Sequence, residues 1–167
     1  MMDYIKAYRE LVQSELLDKS VIEKHVEQHM LIDKILPKTL SFFLIAELNN
    51  GTYPFLGSNQ EIISGFANEF VKAQGFEFFI QRLHPDEREI FILKAAPEMA
   101  ACVANASEED KKNLQFQYNY RFQRKDGAYI NLMEQSFVLE TDEEGHGALV
   151  LCNVTLLETK EQLPLRW

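Results

Sequence analysis

QFQYNYRFQRKDGAYINLMEQSF, residues 115–137, decides the fold. Phe116, Tyr118, Tyr120 and Phe122 alternate with Gln115, Gln117, Asn119, Arg121 and Gln123, and a period of two is the mark of a strand with one apolar face. Asp126-Gly127 reads as a two-residue type I′ turn, whose central positions both need positive φ, and YINLMEQSFVLE is the returning strand. With Asp126 and Gly127 as the loop, Lys125 pairs with Ala128. Counting outward sets Phe122 opposite Asn131, Tyr120 opposite Met133, Tyr118 opposite Gln135 and Phe116 opposite Phe137. One face of the hairpin is then aromatic with two amides set into it.

The elements on either side extend this hairpin into a sheet. DEEGHG is a second turn, and ALVLCNVTLLE after it is a strand apolar on both faces, which suits a central position. Upstream, SFFLIAEL and NNGTYPFL form another hairpin, with Pro54 placing its second strand at an edge because proline cannot donate to a ladder. Ser58 or Asn59 can cap a short helix containing Ile62, Ile63 and Phe66, and Gly75 separates that region from FEFFIQRL. Pro85 to about Asn105 reads as the longest central helix, with a kink expected at Pro97. From Tyr4 to Leu36, Tyr4, Tyr8, Leu11 and Val12 and then Ile22, Val26 and Met30 recur at helical spacing. Asp18 and Ser20 divide the segment into two helices, and Pro37 ends the second. The order predicts an α+β domain with helices on one face of an antiparallel sheet.

Composition narrows the function classes. The 167 residues, 46% of them hydrophobic, suffice for one domain with its own core. A formal net charge of -9, from 26 acidic and 17 basic residues, opposes phosphate binding and argues against a nucleic-acid contact by this chain. Cys102 and Cys152 show no zinc or redox spacing and read as apolar packers in a reducing, cytoplasmic setting. The N-terminus lacks a signal-peptide pattern, and the longest apolar run, FFLIA at residues 42–46, falls far short of the roughly 20 residues of a membrane span.

Three motifs in this order, HPDE at 84–87, YRFQRKDGAYIN at 120–131 and NVT at 153–155, resemble the PAS domain pattern from Ser41 to Thr159. PAS domains carry His-Pro-Asp-Asp before the last helix, Tyr-Arg-x-x-x-Lys-Asp-Gly across a hairpin and Asp-Ile-Thr in the final strand. This chain departs from the last motif at Asn153. The resemblance implies a five-stranded antiparallel sheet in the order 2-1-5-4-3 cupping a small cavity. It divides the chain into an N-terminal helical extension (1–37), a PAS-like sensor (38–159) and the start of a linker (160–167). The extension with FFLIAELNN is also similar to sensor regions that precede a LuxR-type helix-turn-helix in bacterial transcription regulators. A non-enzymatic, homodimeric sensor is therefore expected, with its DNA-binding output beyond this chain. The alternative is a stand-alone dimerisation module with a solid core and no ligand.

The hairpin face supplies the candidate pocket: Tyr118, Tyr120, Phe122, Asn131, Met133, Gln135 and Phe137, with convergent amides on an apolar surface as small-ligand sites use them. By the resemblance Leu149, Leu151 and Asn153 join them from the last strand. No cofactor is named by the sequence. The reactive cysteine of flavin-binding PAS photoreceptors has no counterpart between Gly51 and His84, and nothing supports His84 as a haem ligand. His84, Asp86 and Glu87 instead fit a helix start, with Pro85 at the first helical position and acids at its positive end. His25 and His29 share a helix face, but Val26 stands where a metalloprotease motif needs glutamate, so they read as part of a solvated face and no metal is assigned.

Overall fold

A computed structural model describes residues 3–12, 14–38, 40–159, 161 and 163–167. Helices α1 (Tyr4–Leu11) and α2 (Lys19–Ile35) are capped by Asp3 and Asp18, whose carboxylates accept from the backbone N–H of Lys6 and Ser20. Leu36 is already extended before Pro37. The hairpin β1 (Ser41–Glu47) and β2 (Thr52–Leu56) leads into α3 (Asn59–Ser64), α4 (Asn68–Gln74) and α5 (Phe76–Arg82). A long helix follows in three pieces: α6 (Pro85–Ile90), a π turn (Phe91–Ala95) and α7 (Ala96–Asn105). The kink expected at Pro97 takes the form of this π turn. Ala96 N–H bonds to Phe91 C=O, and the wider turn accommodates a proline that has no N–H to return to the preceding turn. After the short α8 (Glu108–Lys111) come β3 (Gln115–Gln123), β4 (Tyr129–Thr141) and β5 (Gly147–Leu157).

The strands form one antiparallel sheet in the order β2-β1-β5-β4-β3. β5 is central, as its two apolar faces predict, and β2 with Pro54 is at an edge. On the inner face Phe42, Cys152, Val154, Tyr118, Tyr120, Phe122 and Leu132 pack with Phe78, Phe91 and Ile92 of the helices. The outer face is covered too. There Ile45, Phe55 and Leu149 form a second buried cluster against Leu17, Ile22 and Val26, so α2 lies on the side opposite the other helices. His25 and His29 are therefore half-buried, correcting the reading of a solvated face. His25 Nε2 lies 2.8 Å from Glu140 Oε1, and His29 Nδ1 lies 2.7 Å from the His25 carbonyl. Among the described residues no helix is long and apolar enough to cross a membrane.

The β3–β4 hairpin differs from the sequence expectation by one residue. Arg124, not Lys125, faces Ala128, and Arg124 N–H bonds to the Ala128 carbonyl. The loop is the three residues Lys125, Asp126 and Gly127. Gly127 N–H closes a turn onto the Arg124 carbonyl, and only Gly127 has positive φ. Phe122 therefore faces Ile130, Tyr120 faces Leu132, Tyr118 faces Glu134 and Phe116 faces Ser136. With a side-chain period of two, this single-residue slip exchanges the two faces of β4 from Ile130 to Ser136.

HPDE closes the free edge of β3. His84 Nδ1 accepts from Asp86 N–H as an N-cap with Pro85 at the helix start, and His84 N–H bonds to the Arg121 carbonyl. Glu87, 1% exposed, accepts from Arg121 N–H and Arg121 Nε, each at 2.7 Å. The chain after β5 folds back to the same edge: Asn119 N–H bonds to the Arg166 carbonyl, and Leu165 N–H bonds to Glu87 Oε1 at 3.2 Å. Two outward donors of this edge strand, Asn119 N–H and Arg121 N–H, are thus taken up within the chain.

Candidate functional site

Between the inner face of the sheet and the helices lies a cavity of about 420 Å³. That is within the size range of small-molecule pockets. Its floor is the inner face of four strands, with Leu44 from β1, Tyr118 and Tyr120 from β3, Leu132, Glu134 and Ser136 from β4, and Val150 and Cys152 from β5. Phe76, Phe79, Phe91 and Met99 form the roof, and Tyr8, Leu11 and Val12 close one side from α1 and the chain just after it. Phe79 stands edge-on to Tyr120 and to Phe91, each at 5.3 Å between ring centres. The wall is apolar and aromatic nearly throughout.

One charged group interrupts it. Glu134 is 6% exposed; its Oε1 accepts from the Tyr118 hydroxyl at 2.6 Å and the Ser136 hydroxyl at 3.4 Å, and its Oε2 from the Tyr120 hydroxyl at 2.9 Å. Burial, and next the negative field of Glu134, hold the Tyr118, Tyr120 and Tyr53 hydroxyls well above the usual phenol range. The same two causes push the Cys152 thiol up, and Ser136 lies 3.6 Å from its sulfur. Cys152 is therefore a neutral wall group, whereas Cys102 is exposed on α7 and does not pack in the core as expected.

Of the residues singled out from sequence, Tyr118, Tyr120, Phe122 and Phe137 line the cavity. Asn131, Met133, Gln135 and Leu151 do not. The register correction carries the first three of these to the outer face, where they have other partners. Asn131 holds the chain after β5, donating to the Glu161 carbonyl at 2.8 Å and accepting from Leu163 N–H at 3.0 Å. Gln135 sits in a polar row across three strands, between Gln117 at 3.3 Å and Asn153 at 3.4 Å. Met133 Sδ accepts from Gln117. Leu151, like Leu149, packs under α2 because inner positions on β5 are even-numbered. The polar cavity residues that sequence reasoning passed over include Glu134 and Ser136, on the face of β4 opposite the one chosen, and Gln60, Tyr8 and Tyr53, which arrive from distant elements. A three-residue loop ending in Gly127 was the available signal for the first two.

No protein-family model matches the chain, and no curated protein matches it. Solved structures do. The N-terminal domain of a diguanylate cyclase with PAS/PAC sensor from Marinobacter aquaeolei superposes with a TM-score of 0.55 at 16% identity, covering 70% of this chain and 94% of that one. A PAS domain of a two-component sensor histidine kinase gives 0.50 at 13% identity, covering 84% and 100%. The PAS domain of an HTR-like protein from Haloarcula marismortui gives 0.50 at 9%, also covering 84% and 100%. With the strand order, the helices roofing the inner face and the cavity between them, these similarities show that the chain has the PAS fold.

Proposed function

We propose that this chain is a small-molecule-sensing PAS domain of a bacterial signalling protein, the sensor part of a transcription regulator. The observation that carries the sensing role is the cavity of about 420 Å³ with the Glu134 carboxylate among aromatic and aliphatic walls. A solid interaction module has no use for such a space, since interiors normally pack without voids of this size. Bound ligand would act on β4 from within, through Glu134 and Ser136. Asn131, three residues before Glu134 on the same strand, holds the chain leaving β5, so a shift in β4 biases that chain at Glu161 and Leu163. The regulator assignment draws on the similarity of the N-terminal extension to sensor regions of LuxR-type proteins.

Native mass spectrometry of protein purified from its source tests the reading. A small molecule held one to one by the wild type, and lost in Leu132→Trp, whose indole occupies the cavity, is the expected result. Ligand-free masses for both proteins, with no shift in thermal unfolding between cell-purified and refolded wild type, would sink it.

A further inference from the structure

The sensing proposal leaves the ligand's chemistry open, and the cavity restricts it. All three hydroxyls that donate to Glu134 are neutral, so they occupy lone pairs of the carboxylate without cancelling its charge. No lysine or arginine lines the cavity among the described residues. His146 reaches its wall, but its Nδ1 lies 3.3 Å from Asp142 Oδ2 and 3.7 Å from Glu144 Oε2, so it belongs to those acids. An ionised carboxylate in apolar surroundings is costly unless a positive partner joins it.

The walls decide which partner. Tyr118, Tyr120, Phe79 and Phe91 line the cavity as a cluster of aromatic rings with centres 5.3–5.8 Å apart, and the face of such a ring attracts an organic ammonium. A metal ion would need several oxygen, nitrogen or sulfur ligands, and among the described residues no group of three or more His, Cys, Asp or Glu is placed to hold one. We infer that the cavity takes a small organic cation, an amine in its ammonium form on an apolar or aromatic body, with Glu134 as its counter-ion. This rests on the sensing reading and assigns its ligand class.

Titration calorimetry of the whole chain at neutral pH with three probes of similar shape tests the inference: 2-phenylethylammonium, the neutral 3-phenylpropan-1-ol and the anionic 3-phenylpropanoate. The ammonium is expected to bind at least about tenfold more tightly than the alcohol, and the carboxylate most weakly. Glu134→Gln, which keeps size but removes the charge and turns one of the two acceptor oxygens into a donor, should erase the ammonium's advantage over the alcohol. Should Glu134→Gln fail to fold, the wild-type order decides alone. Equal or tighter binding of the alcohol or the carboxylate by the wild type overturns the cation assignment and leaves sensing intact. A neutral or anionic molecule retained in native mass spectra does the same. No binding of any probe together with a ligand-free native mass overturns both.

Discussion

Glu87 and Glu134 are both buried carboxylates, 1% and 6% exposed, and their surroundings give them opposite roles. Glu87 is compensated: it pairs with Arg121, whose side chain is 15% exposed, and takes two backbone N–H groups, from Arg121 and Leu165. Glu87→Ala would leave a mostly buried guanidinium without its close partner and two backbone donors unmet. An expected loss of about 3–5 kcal/mol follows, measured by urea unfolding, with Glu87→Gln losing less because an acceptor oxygen remains. A loss below about 1 kcal/mol for the alanine variant would show that this junction is not a structural anchor. Glu134 is met by neutral hydroxyls and the Cys152 thiol, with no cationic side chain beside it among the described residues, which is why it is the candidate for ligand recognition. HPDE was legible as a helix start from its proline and charge order. That its glutamate also closes the edge of β3 was not, because Arg121 is 34 residues away in sequence.

Two glycines at element boundaries separate conformational strain from steric contact. Gly127 has φ +87° in the β3–β4 loop, and a Cβ there meets nothing within 4 Å. Gly127→Ala should therefore cost only the left-handed conformation, about 1–2 kcal/mol. Gly75 joins α4 to α5 with φ +59° and ψ -144°, and its Cβ would lie 2.3 Å from the Gly51 carbonyl oxygen, which is already bonded to Phe76 N–H. Gly75→Ala adds that clash to a backbone region kept almost wholly for glycine, and a cost above about 3 kcal/mol is expected in the same unfolding measurement. Equal costs at the two positions would contradict this geometry. The sequence marked Gly75 as a boundary correctly, yet the carbonyl against it belongs to the β1–β2 turn and is visible only in the folded chain.

At the scale of the molecule, the inner face gathers tyrosines from the first helix, both hairpins and, through Glu134, a single acidic centre. Burial above all raises the Tyr8 hydroxyl; burial and then Glu134 raise Tyr53, Tyr118 and Tyr120. Their folded values lie above the roughly 10 of an unfolded tyrosine. The native state thus binds protons that the unfolded chain releases, so stability from these groups is full below about pH 10 and is lost as pH rises beyond it. Urea midpoints should fall from about pH 9.5 upward, with tyrosinate absorbance from these four residues appearing together with loss of the far-ultraviolet circular dichroism signal. Full tyrosinate formation in a chain still folded at that pH would refute the burial of the cavity wall.

Local patterns determined the elements of this protein: period-two alternation named β3, two-sided apolarity placed β5 at the centre, and Pro37, Pro54 and Pro85 set an ending, an edge and a start. Those features act through neighbouring backbone and one or two turns, so the chain displays them directly. The register of β4 depended on something else. Its two alternating sets, Ile130, Leu132, Glu134, Ser136 and Asn131, Met133, Gln135, Phe137, are equally mixed in polarity, so hydrophobic pattern could not choose the inward one. The choice came from the three-residue loop and from the outer face having its own cover, with α2 over β1 and β5 and the returning chain on Asn131. With polar partners available outside for Asn131 and Gln135, and tyrosine hydroxyls available inside for Glu134, only tertiary contacts decided which set of β4 side chains faces the cavity.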